Sequence, residues 1–210
     1  MDFSAAGYLG PLLSLALLWA VAVVTPGPNF FNIAQLAASQ SRRHGVVAAL
    51  GVATGTVLWG LAGGLGIKTL FSVAPALYLG FKIAGGCYLI YLGLKQFKRK
   101  AAIAPGKPAA THQTYLSVYA RGLLGNMTNP KSALFVTTIF ATAMPAHVSP
   151  LLLALAVLTM ATLSFSWYCS VALFFASRRV AGVYERSRQW LDRLAGGCYL
   201  LFGAHLMANR

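Results

Sequence analysis

The stretch Val23-Val24-Thr25-Pro26-Gly27-Pro28-Asn29-Phe30-Phe31 interrupts a long apolar run with two prolines, a glycine and an asparagine. Proline has no backbone N–H and clashes with the preceding turn, so no helix runs through this stretch undisturbed. The residue before each proline is also driven out of helical geometry. Backbone groups freed by such a break need partners, and lipid hydrocarbon offers none. If the run crosses a membrane, the break must line a cavity or pack against protein.

The composition points to a membrane. Of the 210 residues, 58% are hydrophobic and only 10% charged, against about 25% charged in soluble domains. The mean hydropathy is +0.67. Apolar segments of the length needed to cross a bilayer, roughly 20 residues, fall near 6–24, 46–67, 75–96, 116–143, 150–176 and 190–207. The expected fold is an all-α membrane protein of six transmembrane helices in a single domain over 1–210.

The net charge of +14 is distributed by side. Arg42 and Arg43 follow the first segment; Lys95, Lys98, Arg99, Lys100, Lys107 and Arg121 surround the third connection; Arg178, Arg179, Arg186, Arg188 and Arg193 fill the fifth. With six spans, these connections share one face. The positive-inside rule makes that face cytoplasmic and places both termini outside. The charge is thus an orientation signal, and a nucleic-acid partner is not expected. Ala20-Val21-Ala22 resembles a signal-peptide cleavage site, but Asp2 is the only charge before Arg42. A basic n-region is therefore missing, and the segment is expected as a mature helix. Cys87, Cys169 and Cys198 sit singly in apolar segments. With no CxxC pair or Cys/His cluster, they suggest neither disulfides nor a metal site.

A repeat runs through the chain. Ala84-Gly85-Gly86-Cys87-Tyr88-Leu89 recurs as Ala195-Gly196-Gly197-Cys198-Tyr199-Leu200, 111 residues on. Thr54, Thr56 and Trp59 align with Thr162, Ser164 and Trp167 at an offset of 108, and Pro28-Asn29 with Pro130-Lys131 at 102. The first repeat then covers about 1–100 and the second about 115–210, joined by a linker near 100–114. Three helices per half make the second copy enter the membrane from the opposite side. That is the inverted-repeat plan of many secondary transporters, with the site where the halves meet.

The counterpart of the opening stretch is Asn126-Met127-Thr128-Asn129-Pro130-Lys131. The first and fourth helices are therefore both expected to be broken. Pro28 and Pro130 suit the first turn of a resuming helix, and Asn129 suits its N-cap. Two half-helix N-termini would present N–H groups near the midplane, suited to a carboxylate, while unwound carbonyls suit an ammonium. That pairing fits a zwitterionic amino acid. A plain proline kink satisfied by neighbouring Ser and Thr is the alternative.

The candidate substrate-binding residues are Thr25, Pro26, Gly27, Pro28, Asn29, Asn32, Thr54, Asn126, Asn129, Pro130 and Lys131. Asn29, Asn32, Gln35 and Ser39 follow one another at helical spacing after the first break, and Lys131, Thr138 and Thr142 after the second. Single Ser or Thr hydroxyls are as readily spent on their own helix. A lysine at the centre of a spanning helix costs about 2.5–3.5 kcal/mol on insertion scales and normally faces a cavity or partner. Lys131 could hold a substrate carboxylate, neutralise carbonyls freed by the other break, or snorkel to an interface. The only acids, Asp2, Glu185 and Asp192, lie outside the expected spans. That leaves no carboxylate pair, metal-ligand set or catalytic constellation, and no cofactor or enzyme activity is expected. Gly51, Gly55, Gly60 and Gly64 signal close helix packing, within the bundle or across a homodimer.

"TPGPN" at 25–29, "RRHG" at 42–45, "GVATGTVLWGLAGGLG" at 51–66, "KIAGGCYLIYLGLKQF" at 82–97 and "RGLLGNMTNPKSALF" at 121–135 resemble the LysE/RhtB family of bacterial amino-acid exporters. The resemblance implies a multi-pass inner-membrane protein of six helices that exports amino acids or close derivatives, driven by the proton motive force. It also implies that Pro26, Gly27, Pro28, Asn129, Pro130 and Lys131 hold the signature positions. Some relatives carry an acid where this chain has Thr56, so a neutral amino acid is expected rather than lysine or arginine.

Three rivals remain at this point. A divalent-cation exporter would want carboxylate ligands. A membrane electron carrier would need two apposed redox cysteines, and a membrane enzyme a catalytic constellation.

Overall fold

A computed structural model of the chain describes residues 5–73, 113–145 and 148–175, with scattered positions between 83 and 94 and between 190 and 207. Most of the third and sixth expected spans, of the linker and of both hexapeptide copies lies outside the described residues. Among the described residues the fold is six continuous helices: α1 Ala5–Val24, α2 Pro28–Ser39, α3 Arg42–Val73, α4 Tyr115–Met127, α5 Pro130–Ala143 and α6 Pro150–Phe175. Three stretches are long and apolar enough to cross a membrane: Gly7–Val24, Arg42–Gly66 and Pro150–Phe175.

Local chemistry sets the helix ends. Pro28, Pro130 and Pro150 each open a helix, where a missing N–H costs nothing. Thr114 caps α4 by accepting from the Ser117 N–H at 3.3 Å. Ser149 does the same for α6, accepting from Leu152 at 3.2 Å. Pro11, inside α1, does not end it.

Helices α3 and α6 form the central pair. Gly45 lies against Ala172, Gly60 against Val157 and Gly64 against Leu153, so the two helices run antiparallel. Two apolar clusters flank them. Leu15, Trp19 and Val23 of α1 pack with Phe135, Ile139 and Phe140 of α5 on the first half of α6, around Ala156 and Met160. Phe30, Ile33 and Ala37 of α2 pack with Ala48 and Val52 of α3, Val118 of α4, and Val171 and Ala172 in the second half of α6. The gap between α1 and α2, and that between α4 and α5, fall between these clusters.

Glycines allow the close crossings. A methyl group at Gly51 would collide with the Tyr119 carbonyl, and one at Gly122 with the Ala48 carbonyl. Gly55 accommodates the Asn126 side chain at 2.8 Å from where a Cβ would stand. Gly51 and Gly55 thus face α4, while Gly60 and Gly64 face α6. All four are consumed by contacts within the chain, so their spacing does not argue for a homodimer. Large apolar side chains point outward instead, among them Leu9, Leu13 and Leu17 at helical spacing on α1 and Leu151 and Leu158 on α6. An apolar exterior of this kind suits contact with lipid.

Candidate functional site

The buried polar residues converge on the level of the two gaps. Thr25, Asn29, Thr56, Asn126, Asn129, Ser132 and Ser164 are all buried. All of these except Thr25 line a small hollow of about 20 Å³, room for roughly one water molecule. Its wall takes residues from all six helices, including Trp19, Gly27, Asn29, Asn129, Lys131 and Tyr168.

Each restarting helix straps itself to the end of the other broken pair. From α5, Lys131 Nζ donates to the Ala22 carbonyl at 2.9 Å and to the Thr25 carbonyl at 3.0 Å. A cation is at its most favourable against the carbonyl end of a helix. From α2, Asn29 Nδ2 donates to Asn126 Oδ1 at 3.1 Å, close to the end of α4. Of the three fates open to Lys131 in the sequence, the contacts made in this conformation are those of the second, with carbonyls at the first break. The lysine side chain runs alongside Gly27, 3.5 Å from where a Cβ would stand, an ordinary packing distance.

Asn126 is the hub of the network. Its Nδ2 donates to the Val52 carbonyl at 2.8 Å and to Thr56 Oγ1 at 3.2 Å, and its Oδ1 also accepts from the Ser132 hydroxyl. Thr56 Oγ1 in turn reaches Ser164 Oγ at 3.4 Å. Trp19 Nε1 closes the wall by donating to Ser164 Oγ at 2.9 Å and the Met160 carbonyl at 3.0 Å. Asn129 caps α5, its Oδ1 accepting from the Lys131 N–H at 3.0 Å.

The candidate residues divide by position. Gly27, Asn29, Asn126, Asn129 and Lys131 form the wall of the hollow. Thr25 and Pro26 are buried beside it; the Thr25 hydroxyl returns to the Val21 carbonyl at 2.7 Å. Pro130 supplies the first turn of α5. Pro28 does the same for α2 but is exposed. Asn32 is one turn further along, its Oδ1 buried without a partner among the described residues. Thr54 turns away from the hollow: it bonds the Leu50 carbonyl and accepts from the Tyr119 hydroxyl at 3.0 Å. Residues two apart on a helix differ by about 200° in direction, so Thr54 and Thr56 cannot share one wall. The two polar stripes do not stay on the hollow either. Gln35 is exposed and accepts from Arg121, and Thr142 back-bonds to Thr138.

Trp19, Ser132, Phe135 and Tyr168 also line the hollow without having been singled out in the sequence. Ser132 carried a signal, since it closely follows the break. Apolar and aromatic residues in apolar segments carry none.

The family model for LysE type translocators matches residues 20–210. The chain belongs to this family. Among similar proteins, the threonine efflux protein of Escherichia coli K12 is 29% identical, aligned over 94% of this chain and 98% of its own. An uncharacterized membrane protein of Haemophilus influenzae is 30% identical, over 94% and 96%. The homoserine/homoserine lactone efflux protein of Salmonella typhimurium LT2 is 28% identical, over 89% and 91%. No solved structure matches the chain.

Proposed function

We propose that this LysE-family protein is a secondary active exporter of neutral amino acids or close derivatives. It would be driven by the proton motive force across the bacterial inner membrane, with both termini outside. Relatives named for threonine efflux and for homoserine efflux support the substrate class. The proposed mechanism is alternating access between two inverted three-helix halves. Three features support that plan. Helices α3 and α6 are antiparallel; Thr56 meets its own aligned counterpart, Ser164; and the contact of Gly64 with Leu153 corresponds, 108 residues along each helix, to that of Ala172 with Gly45. A residue on a two-fold axis touches its own equivalent.

The observation that carries the reading is the shared opening of both restarting helices onto one polar hollow, with Lys131 strapped across it. The starts of α2 and α5 and the Lys131 ammonium suit a carboxylate. The oxygens of Thr56, Asn126, Ser132 and Ser164 suit an ammonium and a side-chain hydroxyl. At about 20 Å³ the hollow is too small in this conformation to hold an amino acid, because ligand pockets occupy about 300–1,000 Å³. To admit substrate, one of the two apolar clusters must open. A lysine ammonium in the wall repels a metal ion, which speaks against the divalent-cation rival.

The test is counterflow of labelled amino acids into liposomes containing the purified protein, threonine and homoserine first, with and without an imposed pH gradient. Exchange of a neutral amino acid, accelerated by the gradient, is expected. Exchange of manganese or cadmium but of no amino acid would overturn the assignment.

A further inference from the structure

Trp59 and Trp167 occupy aligned places in α3 and α6, at the same offset as Thr56 and Ser164. Trp59 uses its indole N–H. Nε1 donates to the Asn126 carbonyl at 3.2 Å, near the C-terminal end of α4. Trp167 Nε1 is buried, yet it has no hydrogen-bond partner among the described residues. Leaving such a donor unpaired costs free energy and requires a reason. Its ring packs against both apolar clusters, the level at which the first break falls.

The repeat supplies the missing partner. At the offset of 102, Asn126 corresponds to Val24, the last residue of α1. The end of α4 is held by an indole from α3. The end of α1 is instead held by the Lys131 ammonium from α5. The two halves are built alike but finished differently, and the unused indole belongs to the half that supplies the lysine, facing the helix end that the lysine has taken.

We propose that Trp59 and Trp167 are reciprocal positioning residues, each holding the carbonyl end of one broken helix in one access state and releasing it in the other. The proposal rests on the alternating reading above. Exchanging the conformations of two similar halves turns one access state into its opposite. In the opposite state the Trp167 N–H holds the end of α1, the end of α4 is released by Trp59, and Lys131 is freed to meet a carboxylate. The unpaired indole is the mark of the state not adopted here.

The test uses single-cysteine reporters, Ala37→Cys in the α2 cluster and Ala141→Cys in the α1–α5 cluster, after replacing the three native cysteines with alanine. The full-length protein is held in nanodiscs without substrate, and the two rates of labelling by a water-soluble maleimide are compared. Trp59→Phe removes a bond made only in this state, and Trp167→Phe one made only in the other. The two variants are expected to shift the rate ratio in opposite directions, each by about three- to tenfold, the span of one net hydrogen bond. Shifts in the same direction, or none, overturn the proposal. The indole ¹⁵N–¹H signals give a second measurement that needs no cysteine. The Trp167 signal is expected to move downfield in Trp59→Phe, and an unmoved signal overturns the proposal. Parallel counterflow separates the two readings. Transport with no opposite shifts sinks the tryptophan pair alone; opposite shifts with no amino-acid transport sink the substrate assignment and leave the pair standing.

Discussion

The Lys131 ammonium lies 3.0 Å from the Thr25 carbonyl, so the first turn of α5 finishes the last turn of α1. One charge closes a gap between helices more than a hundred residues apart in the chain. It also places a cation beside the start of α2, where Gly27 provides no side-chain cap. A carboxylate arriving there would compete with two carbonyls for the same lysine.

Replacing Lys131 with alanine is expected to abolish counterflow and to destabilise the protein. Hydrogen bonds to a charged group contribute about 1.5–3 kcal/mol, and this lysine makes two to the end of α1. Thermal unfolding in detergent reads the second effect. Lys131→Arg should recover part of the stability but little transport, because the planar guanidinium does not fit the place of a compact ammonium. Wild-type counterflow in Lys131→Ala would remove the lysine from the transport cycle.

Thr54 and Thr56 give a paired comparison two residues apart. Thr56→Val should slow counterflow severely, since it takes the hydroxyl that bridges Asn126 and Ser164. Thr54→Val removes only contacts to Leu50 and Tyr119 and should leave transport close to normal. Equal impairment of the two would argue that the hollow is not where substrate sits.

Asn126→Ala removes bonds to three other helices at once, at Asn29, Thr56 and Ser132, of which Thr56 keeps its bond to the Val52 carbonyl. Each stranded buried group costs about 1–3 kcal/mol. The expected result is the largest loss of melting temperature of any single substitution in the hollow. A drop no greater than that of Asn129→Ala, which forfeits one helix cap worth about 1 kcal/mol, would contradict its place as hub.

Gly122→Ala drives a methyl group into the Ala48 carbonyl, whereas a methyl at Gly125 meets nothing within 4 Å. Overpacking against backbone costs about 1–3 kcal/mol or more, while Gly→Ala in an open helical position gains roughly 0.5–1 kcal/mol. Gly122→Ala should lower folded yield and melting temperature, and Gly125→Ala should leave both unchanged or raise them. Equal tolerance would mean that α3 and α4 do not cross so closely.

Much of this architecture was legible in one dimension. Low charge and repeated apolar segments mark a membrane chain, because hydrocarbon rejects charge wherever it occurs along the sequence. Proline disturbs a helix through its own covalent structure and suits a first turn, so helix starts at Pro28 and Pro130 were legible in the sequence, although Pro11 is carried inside α1. The Asn129 cap was equally local. The destinations of side chains were not. That Lys131 reaches Ala22 and Thr25, that Asn126 gathers three helices, and that Thr56 faces inward while Thr54 faces α4 depend on how the helices are rotated and brought together. Glycines at 51, 55 and 122 set that approach through contacts between residues distant in the chain. Composition and backbone chemistry act on each residue where it stands, whereas a hydrogen bond across the hollow exists only once packing has delivered both of its partners.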